Sequence, residues 1–342
     1  VSDEAEKPFI IPVFIPHSGC PHRCAFCNQE TITGKNRLIP SPENLRTDVG
    51  EYLRYKGARR TISQVAFYGG NFLGLDPEKI RILLGAVQPF VKTGKIDSIR
   101  FSTRPDTITE NRLDLLKPFP VQTIELGVQS MDDRVLDRVH RGHCAADTER
   151  AVYRLKAARY EVGLQVMVGL PGEDPESCLL TGEKTAALLP DFVRIYPTVI
   201  LKNSLLAKWY HGKTYTPLTL DQAVLRSKHL YRIFSGKNIR VIRMGLQPTT
   251  DMAVGTDILA GPHHPAFGEL VYSALFYDNA AKAIAAMDHL PEEIELKVHP
   301  KNVSKMRGVR NENLKKLSRQ FGLDSIRVYS DPSLQGHAVT VQ

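Results

Sequence analysis

The sequence predicts an α/β fold, a partial (β/α)6 parallel barrel followed by a small α+β C-terminal unit, and three observations predict it. Short β-rich apolar runs alternate with segments of helical apolar spacing up to Tyr196, the form of repeated βα units that build a parallel sheet. From Glu292 a compact strand, helix, turn, helix, strand, strand pattern replaces that rhythm. The 342 residues, 42% of them hydrophobic, suit one large domain with a small appendage.

Strands are expected over residues 9–15, 64–68, 98–102, 123–128, 163–168 and 192–196. Between them, residues 41–56, 77–92, 132–158 and 176–189 read as helices opened by Ser, Asp or Pro start signals. A helix over 220–234, a strand over 241–244 and a helix over 266–287 follow, with the Gly261-Pro-His-His-Pro265 segment too rich in turn formers to be anything but a loop. The terminal unit reads as strand 294–298, a short helix, helix 311–321 and strands 325–329 and 337–341, which sets domains at 1–290 and 291–342. No internal repeat or low-complexity tract interrupts them.

Lys and Arg number 45 against 37 Asp and Glu, a net charge of +8 that favours an anionic partner such as RNA. The opening Val1 to Lys7 is charged and Pro12 breaks the next apolar stretch, so neither a signal peptide nor a spanning helix is expected, and the protein reads as cytoplasmic with no membrane partner. Three of the five cysteines fall within eight residues, which speaks for metal ligation in a reducing compartment rather than a disulfide framework. Cys144 and Cys178 read as incidental thiols.

The segment Cys20-Pro-His-Arg-Cys24-Ala-Phe-Cys27 places three thiolates on the loop after the first strand. Electron-transfer clusters are usually held by four cysteines, so three ligands leave one iron open to substrate or cofactor. A structural zinc site is the alternative; it would want a fourth ligand, for which His17 and His22 are nearby. This spacing, with the aromatic Phe26 before the last cysteine, resembles the signature of the radical S-adenosylmethionine superfamily. The resemblance implies a [4Fe-4S] cluster on Cys20, Cys24 and Cys27 whose open iron chelates the methionine moiety of S-adenosylmethionine. An electron from the reduced cluster would then cleave the cofactor to a 5′-deoxyadenosyl radical that abstracts hydrogen, with Phe26 packing over the adenine.

Further segments match the same superfamily. Gly69, Gly70 and Asn71 in Phe67-Tyr-Gly-Gly-Asn-Phe-Leu73 resemble its glycine-rich motif, which binds the methionine amino group through backbone carbonyls; Asn71 stands where an acidic or hydroxyl residue is usual. Ser102 and Arg104, in Ser102-Thr-Arg-Pro-Asp106, resemble the segment near the ribose and carboxylate, and a structural Arg104–Asp106 ion pair is the other reading. By resemblance Gln129 contacts the ribose and Arg141 the carboxylate, which a guanidinium can pair with bidentately, while His143 reads as a helix cap. Val168 and Leu170, in Val166-Met-Val-Gly-Leu-Pro-Gly172, would flank adenine. All of these segments fall at the carboxyl ends of expected strands, where parallel barrels build active sites.

Arg194-Ile-Tyr-Pro-Thr198, Leu201-Lys202 and His211-Gly-Lys-Thr-Tyr-Thr-Pro217 resemble the Elongator catalytic-subunit family. The resemblance spans residues 9–267, making the first domain a radical core with an Elongator-like extension, and it implies a wobble-uridine tRNA-modifying lineage. Tyr196, Lys202 and Arg243 are the matching substrate-pocket candidates. The Elongator family spaces its first two cysteines farther apart, and these residues hold no glycine-rich acetyl-coenzyme motif, so acetyl transfer is not expected. Arg307-Gly-Val-Arg-Asn311 resembles the backbone-clamping loop of a KH RNA-binding module, with Lys305, Arg307 and Arg310 as RNA contacts and Lys297, Lys301, Lys315 and Lys316 adding charge; a basic solvated helix pair is the alternative. The expected activity is therefore radical chemistry on tRNA or other RNA, supplied by a low-potential electron donor such as flavodoxin or ferredoxin. A tetrapyrrole or small-molecule enzyme related to oxygen-independent coproporphyrinogen oxidase shares the cysteine spacing and the Gly127-Val-Gln129 motif. A cluster-binding haem chaperone is the non-enzymatic alternative.

Overall fold

The computed structural model describes residues 8–28, 39–56, 62–246 and 256–342. Strands β1 (Phe9–Phe14), β2 (Ser63–Tyr68), β3 (Ser98–Thr103), β4 (Val121–Gln129), β5 (Glu161–Val168) and β6 (Phe192–Pro197) pair in parallel and in chain order. Beyond β7 (Ile200–Leu201), strand β8 (Arg240–Met244) adds to the edge of β6, also in parallel. The six-stranded expectation thus becomes a seven-stranded curled half-barrel. The isolated 241–244 pattern gave no sign of its partner, because pairing between distant segments is a tertiary choice. β7 pairs instead with β9 (Ile258–Ala260) in a small antiparallel ribbon.

Helices α1 (Pro42–Arg54) and α2 (Pro77–Lys92) each open on a capping side chain followed by proline: Ser41 accepts from the Asn44 amide and Asp76 from the Glu78 amide. After α3 (Glu110–Asp114), the expected single helix over 132–158 is two, α4 (Asp133–Arg138) and α5 (Ala145–Ala157). The chain leaves the helix where His140 and Gly142 take positive φ of 54° and 70°, a conformation glycine adopts without strain and an α-helix cannot contain. Helices α6 (Pro175–Ala187), α7 (Leu205–His211), α8 (Leu220–Gly236) and α9 (Phe267–Ala285) complete the first layer.

Alternation along the strands decides what the sheet presents to each side. Val65, Phe67, Ile99, Phe101, Ile124, Leu126, Leu164, Val166, Val193 and Ile195 face the helices and are fully buried in one core. Their neighbours Tyr68, Arg100, Glu125, Gln165 and Arg194 turn to the other face and bond to one another. A parallel sheet normally reads apolar on both faces, so this polar face marks the lumen.

The terminal unit has strand β10 (Glu293–Val298), helices α10 (Val303–Arg307) and α11 (Glu312–Phe321), and strands β11 (Ser325–Ser330) and β12 (Thr340–Val341). β10 is central, parallel to β11 and antiparallel to β12. The last strand is two residues long, shorter than the expected 337–341. Its core joins Ile294, Leu296, Val298, Met306 and Leu317 to Phe276, Ala280 and Ile284 of α9, while Phe267 and Val271 of that same helix belong to the barrel core. One continuous helix therefore fastens the two units together.

Candidate active site

Cys20, Cys24 and Cys27 lie on the loop that leaves β1, and all three thiols are free. Three backbone bonds seat this loop on the end of β2: the Ile15 amide donates to Tyr68 O, the His17 amide to Gly69 O, and the Asn71 amide to Ser18 O. Gly70 sits so close beneath it that an added Cβ would stand 2.5 Å from Ile15 O and 2.7 Å from Ser18 O. The Gly69–Gly70 pair, expected as a cofactor contact, therefore also performs a support role for the cysteine loop that needs no ligand.

Asn71 is fully buried, and its amide is engaged by the protein on both sides. Its Nδ2 donates to Gly19 O at 2.8 Å, and its Oδ1 accepts from the Thr103 hydroxyl at 2.7 Å and the Arg104 amide at 3.0 Å. Through these bonds Asn71 has a positioning role: it pins the cysteine loop to the end of β3.

Two guanidiniums converge on the thiols from the other side. Arg141, 6% exposed, donates from Nη1 to Cys24 Sγ at 3.3 Å and from Nη2 to Gly127 O, leaving Nε buried without a partner. Arg104, 2% exposed, chelates Asp106 through Nε and Nη2 at 2.9 and 3.0 Å, and its Nη1 is also buried without a partner. The ion-pair and cofactor readings of Arg104 are compatible, since one edge of the fork is used and Nη1 stays without a partner. Burial and the neighbouring Cys24 push the Cys20 thiol up, and Arg141 and Arg104 pull it back. Burial, then Cys24 and Cys20, push Cys27 up as well. A metal that binds thiolate would reverse that cost by supplying positive charge at the sulfurs.

The break between α4 and α5 is what carries Arg141 here. It also buries His143, whose two ring nitrogens have no partner. Burial, followed by the Arg141 and Arg104 charges, lowers its pKa to about 3. His143 is thus a neutral imidazole against the cationic rim, and the cap expected there is Cys144 with Asp147 instead: the Cys144 amide donates to Asp147 Oδ2 at 2.8 Å.

Gln129 holds a positive φ of 71° at the end of β4, with its Nε2, like Arg141 Nη2, beside Gly127. Ser102 faces the lumen and accepts from Gln165. Phe26 and Leu170 share an apolar cluster with Ala25, Val135, Val139, Met167 and Trp209. Val168 is a correction: it is fully buried in the barrel core on the helix side, because alternation that turns Gln165 and Met167 inward turns Val168 outward. Tyr196 and Arg243 fall on lumen strands, Arg243 paired in register with Arg194. The Lys202 side chain is exposed, and only its main chain ties the region together, accepting from Asn28 Nδ2 at 2.6 Å.

The residue that sequence reading left out of the site is Glu125. It is fully buried on the lumen side of β4 and accepts from Arg100 Nη2 at 2.6 Å, Arg194 Nε at 2.7 Å, the Tyr68 hydroxyl at 3.1 Å and Gln165 Nε2 at 3.2 Å. Burial pushes this carboxyl up, but Arg194 and Arg100 outweigh it and hold it below its ordinary range. A signal was available: Arg100, Glu125, Gln165 and Arg194 are each a polar residue in mid-strand of an otherwise apolar run. With Arg243 in register beside Arg194, three guanidiniums gather around Glu125, an environment suited to an anionic group.

Among the described residues no group of three or more His, Cys, Asp or Glu converges closely enough to hold a single metal ion. A four-iron cluster asks for less convergence, because each thiolate binds a different iron. Three neighbouring thiols, an N–H donor on Cys24 sulfur, and Arg141 Nε and Arg104 Nη1 buried without partners fit such a cluster and a carboxylate beside it.

A family model described as the radical SAM superfamily matches residues 14–182, and one described as the radical SAM C-terminal domain matches residues 190–276. The chain belongs to the radical SAM superfamily. Every cysteine, Gly69, Gly70, Arg104, Glu125 and Arg141 lie in the first match, Tyr196, Lys202 and Arg243 lie in the second, and residues 291–342 lie beyond both. This radical SAM protein is 27% identical over 230 residues to a tRNA uridine(34) acetyltransferase of Dehalococcoides mccartyi, covering 58% of this chain and 50% of that one. It is 26% identical over 235 residues to protein YhcC of Escherichia coli, covering 63% and 72%. The solved structure of archaeal Elp3 from Methanocaldococcus infernus superposes with a TM-score of 0.61 at 20% identity, covering 78% of this chain and 63% of that one, and shows a shared fold. The chain spans half the length of the first of these relatives. Among the described residues no helix is long and apolar enough to cross a membrane.

Proposed function

We propose that this radical SAM protein is an enzyme that cleaves S-adenosylmethionine reductively and directs the resulting radical at an RNA substrate. The carrying observation is the convergence on one loop of three free thiols with Arg104 and Arg141, each holding a buried N–H without a partner. Cys20, Cys24 and Cys27 would hold a [4Fe-4S] cluster, with Arg141 donating to one of its sulfur ligands. When bound and reduced, such a cluster would supply the electron for reductive cleavage of S-adenosylmethionine to methionine and a hydrogen-abstracting 5′-deoxyadenosyl radical.

Arg104 and Arg141 would hold the cofactor carboxylate with their remaining N–H groups, Gln129 and Ser102 its ribose, and Phe26 and Leu170 its adenine. Neutral His143 adds no charge to a rim that must accept an anion. RNA as substrate is supported by the Elongator-like core, by a relative whose name specifies tRNA uridine 34, and by a lumen rich in guanidinium. The cationic lumen would also suit the carboxylates of a tetrapyrrole, and an optical titration with porphyrin separates the two. A low-potential donor such as flavodoxin or ferredoxin would deliver the electron.

Anaerobic reconstitution followed by dithionite reduction, with and without bulk tRNA, tests this reading. Formation of 5′-deoxyadenosine that requires Cys20, Cys24 and Cys27 is expected, with Cys144→Ala and Cys178→Ala indifferent. Absence of 5′-deoxyadenosine from cluster-loaded protein refutes the enzyme reading and favours a cluster-binding carrier.

A further inference from the structure

The net charge of this chain is concentrated in one place. Residues 297–319 carry eight Lys and Arg against a single acid, Glu312, a net +7 of the +8 for all 342 residues. The rest of the chain is close to neutral. This segment runs from the end of β10 through the turn at Pro300–Asn302 to α10, the turn after it, and α11, and it belongs neither to the cluster site nor to the lumen.

The turn is built to project. Gly308 takes φ 71° where an added Cβ would meet Ser273 Oγ at 3.1 Å and Asn313 Cγ at 3.2 Å, and Arg310 and Asn311 are also left-handed, at 53° and 61°. Buried Asn313 anchors it from below, its Nδ2 lying 2.9 Å from Ser273 O on α9 and 3.0 Å from Met306 O at the end of α10. Met306 and Leu317 turn into the second core, so the apolar faces of both helices are spent on packing. Arg307, Arg310, Lys315 and Arg319 are exposed and make no ion pair among the described residues, whereas Lys316 bridges Glu312 at 2.9 Å. Lys305 lies 4.9 Å above the Tyr272 ring, which holds its ammonium at the same edge.

We propose that α10, the Gly308–Asn311 turn and α11 form a docking surface for the phosphate backbone of RNA, separate from the cluster site. A polyanion matches a patch of six Lys and Arg against one acid, Glu312, and neutralising several phosphates gives affinity with release of counterions. An anionic membrane fits less well, because Val309, 58% exposed, is the one large apolar side chain the turn offers to solvent and interfacial helices insert an apolar face. The choice of RNA rests on the substrate proposed above, whereas the charge concentration stands by itself. Holding the RNA on α9 and the second unit would leave the lumen free for the reacting nucleotide.

The test is tRNA binding by the full chain, followed by anisotropy across a salt series, for wild type and a variant with Arg307, Arg310, Lys315 and Arg319 all changed to Gln. Each lost phosphate contact should lower the salt slope by about 0.7–0.9, so the variant should lose about 3 from the slope and more than tenfold in affinity at about 0.1 M salt. Unchanged circular dichroism and cluster absorbance show that the variant is folded. A variant with wild-type affinity and slope overturns the docking surface while leaving RNA as the substrate. Wild type without salt-dependent tRNA affinity overturns both, and binding to phosphatidylserine vesicles in place of tRNA assigns the patch to a membrane.

Discussion

Replacing Glu125 with Gln should destabilise this protein far more than any comparable loss of a surface carboxylate. Glu125 is fully buried, and its two ion-pair partners, Arg100 and Arg194, have side chains only 6% and 15% exposed. Water screens neither contact effectively, at 2.6 and 2.7 Å. Removing one member of a buried pair costs about 3–5 kcal/mol, because the remaining charge stays buried without compensation. The amide oxygen of Gln can still accept from Tyr68 and one guanidinium, which sets the expectation near the lower bound, about 3 kcal/mol. At roughly 2–4 °C per kcal/mol the midpoint of thermal unfolding should fall by about 6–12 °C. Glu78→Gln is the control: its bond to Arg81 is 3.4 Å long with side chains 69% and 51% exposed, and such pairs contribute about 0–1 kcal/mol. The pH dependence has a definite sign. Because the folded carboxyl titrates below its ordinary value, its stabilisation is present above the unfolded pKa and is lost as pH falls through the folded one. The gap between wild type and Glu125→Gln should therefore be constant near neutrality and narrow in acid. A Glu125→Gln protein that melts with Glu78→Gln, or a gap that widens in acid, would refute the role assigned to the lumen network.

Asn71→Asp should reduce iron bound per chain severalfold while the barrel still folds. The change sets a carboxylate oxygen against Gly19 O where Nδ2 now donates, and leaving that half-buried carbonyl unpaired costs about 1 kcal/mol locally; full iron loading in the variant would show that Asn71 does not position the cysteine loop. His143, with a pKa lowered to about 3 in the folded protein from 6.5, should destabilise the fold progressively as pH drops below the unfolded value, since the unfolded chain takes up the proton first. Urea midpoints measured from pH 7 to pH 4 should fall less steeply for His143→Leu than for wild type, and parallel slopes would contradict the burial described.

The sequence by itself determined the half-barrel and the position of the three cysteines on the loop after the first strand. Those follow from local quantities: period-two and period-3.6 patterning, glycine pairs after strands, and the spacing of three cysteines within eight residues. It also located the basic helix pair, because charge is a property of composition. Tertiary structure alone decided which residues meet. Glu125, Arg100, Arg194, Tyr68 and Gln165 come from five strands, and their convergence depends on the register that sets Ser102 against Glu125 and Gln165 against Arg194. Strand parity turned Val168 to the helix side of the sheet and Met167 to the lumen side. Asn71 matched a motif by position, yet its amide is engaged by Gly19, Thr103 and Arg104, which only folding brings within reach. The seventh strand and the double duty of α9 were equally hidden, because strand pairing and helix docking are fixed by partners distant in the chain rather than by neighbours along it.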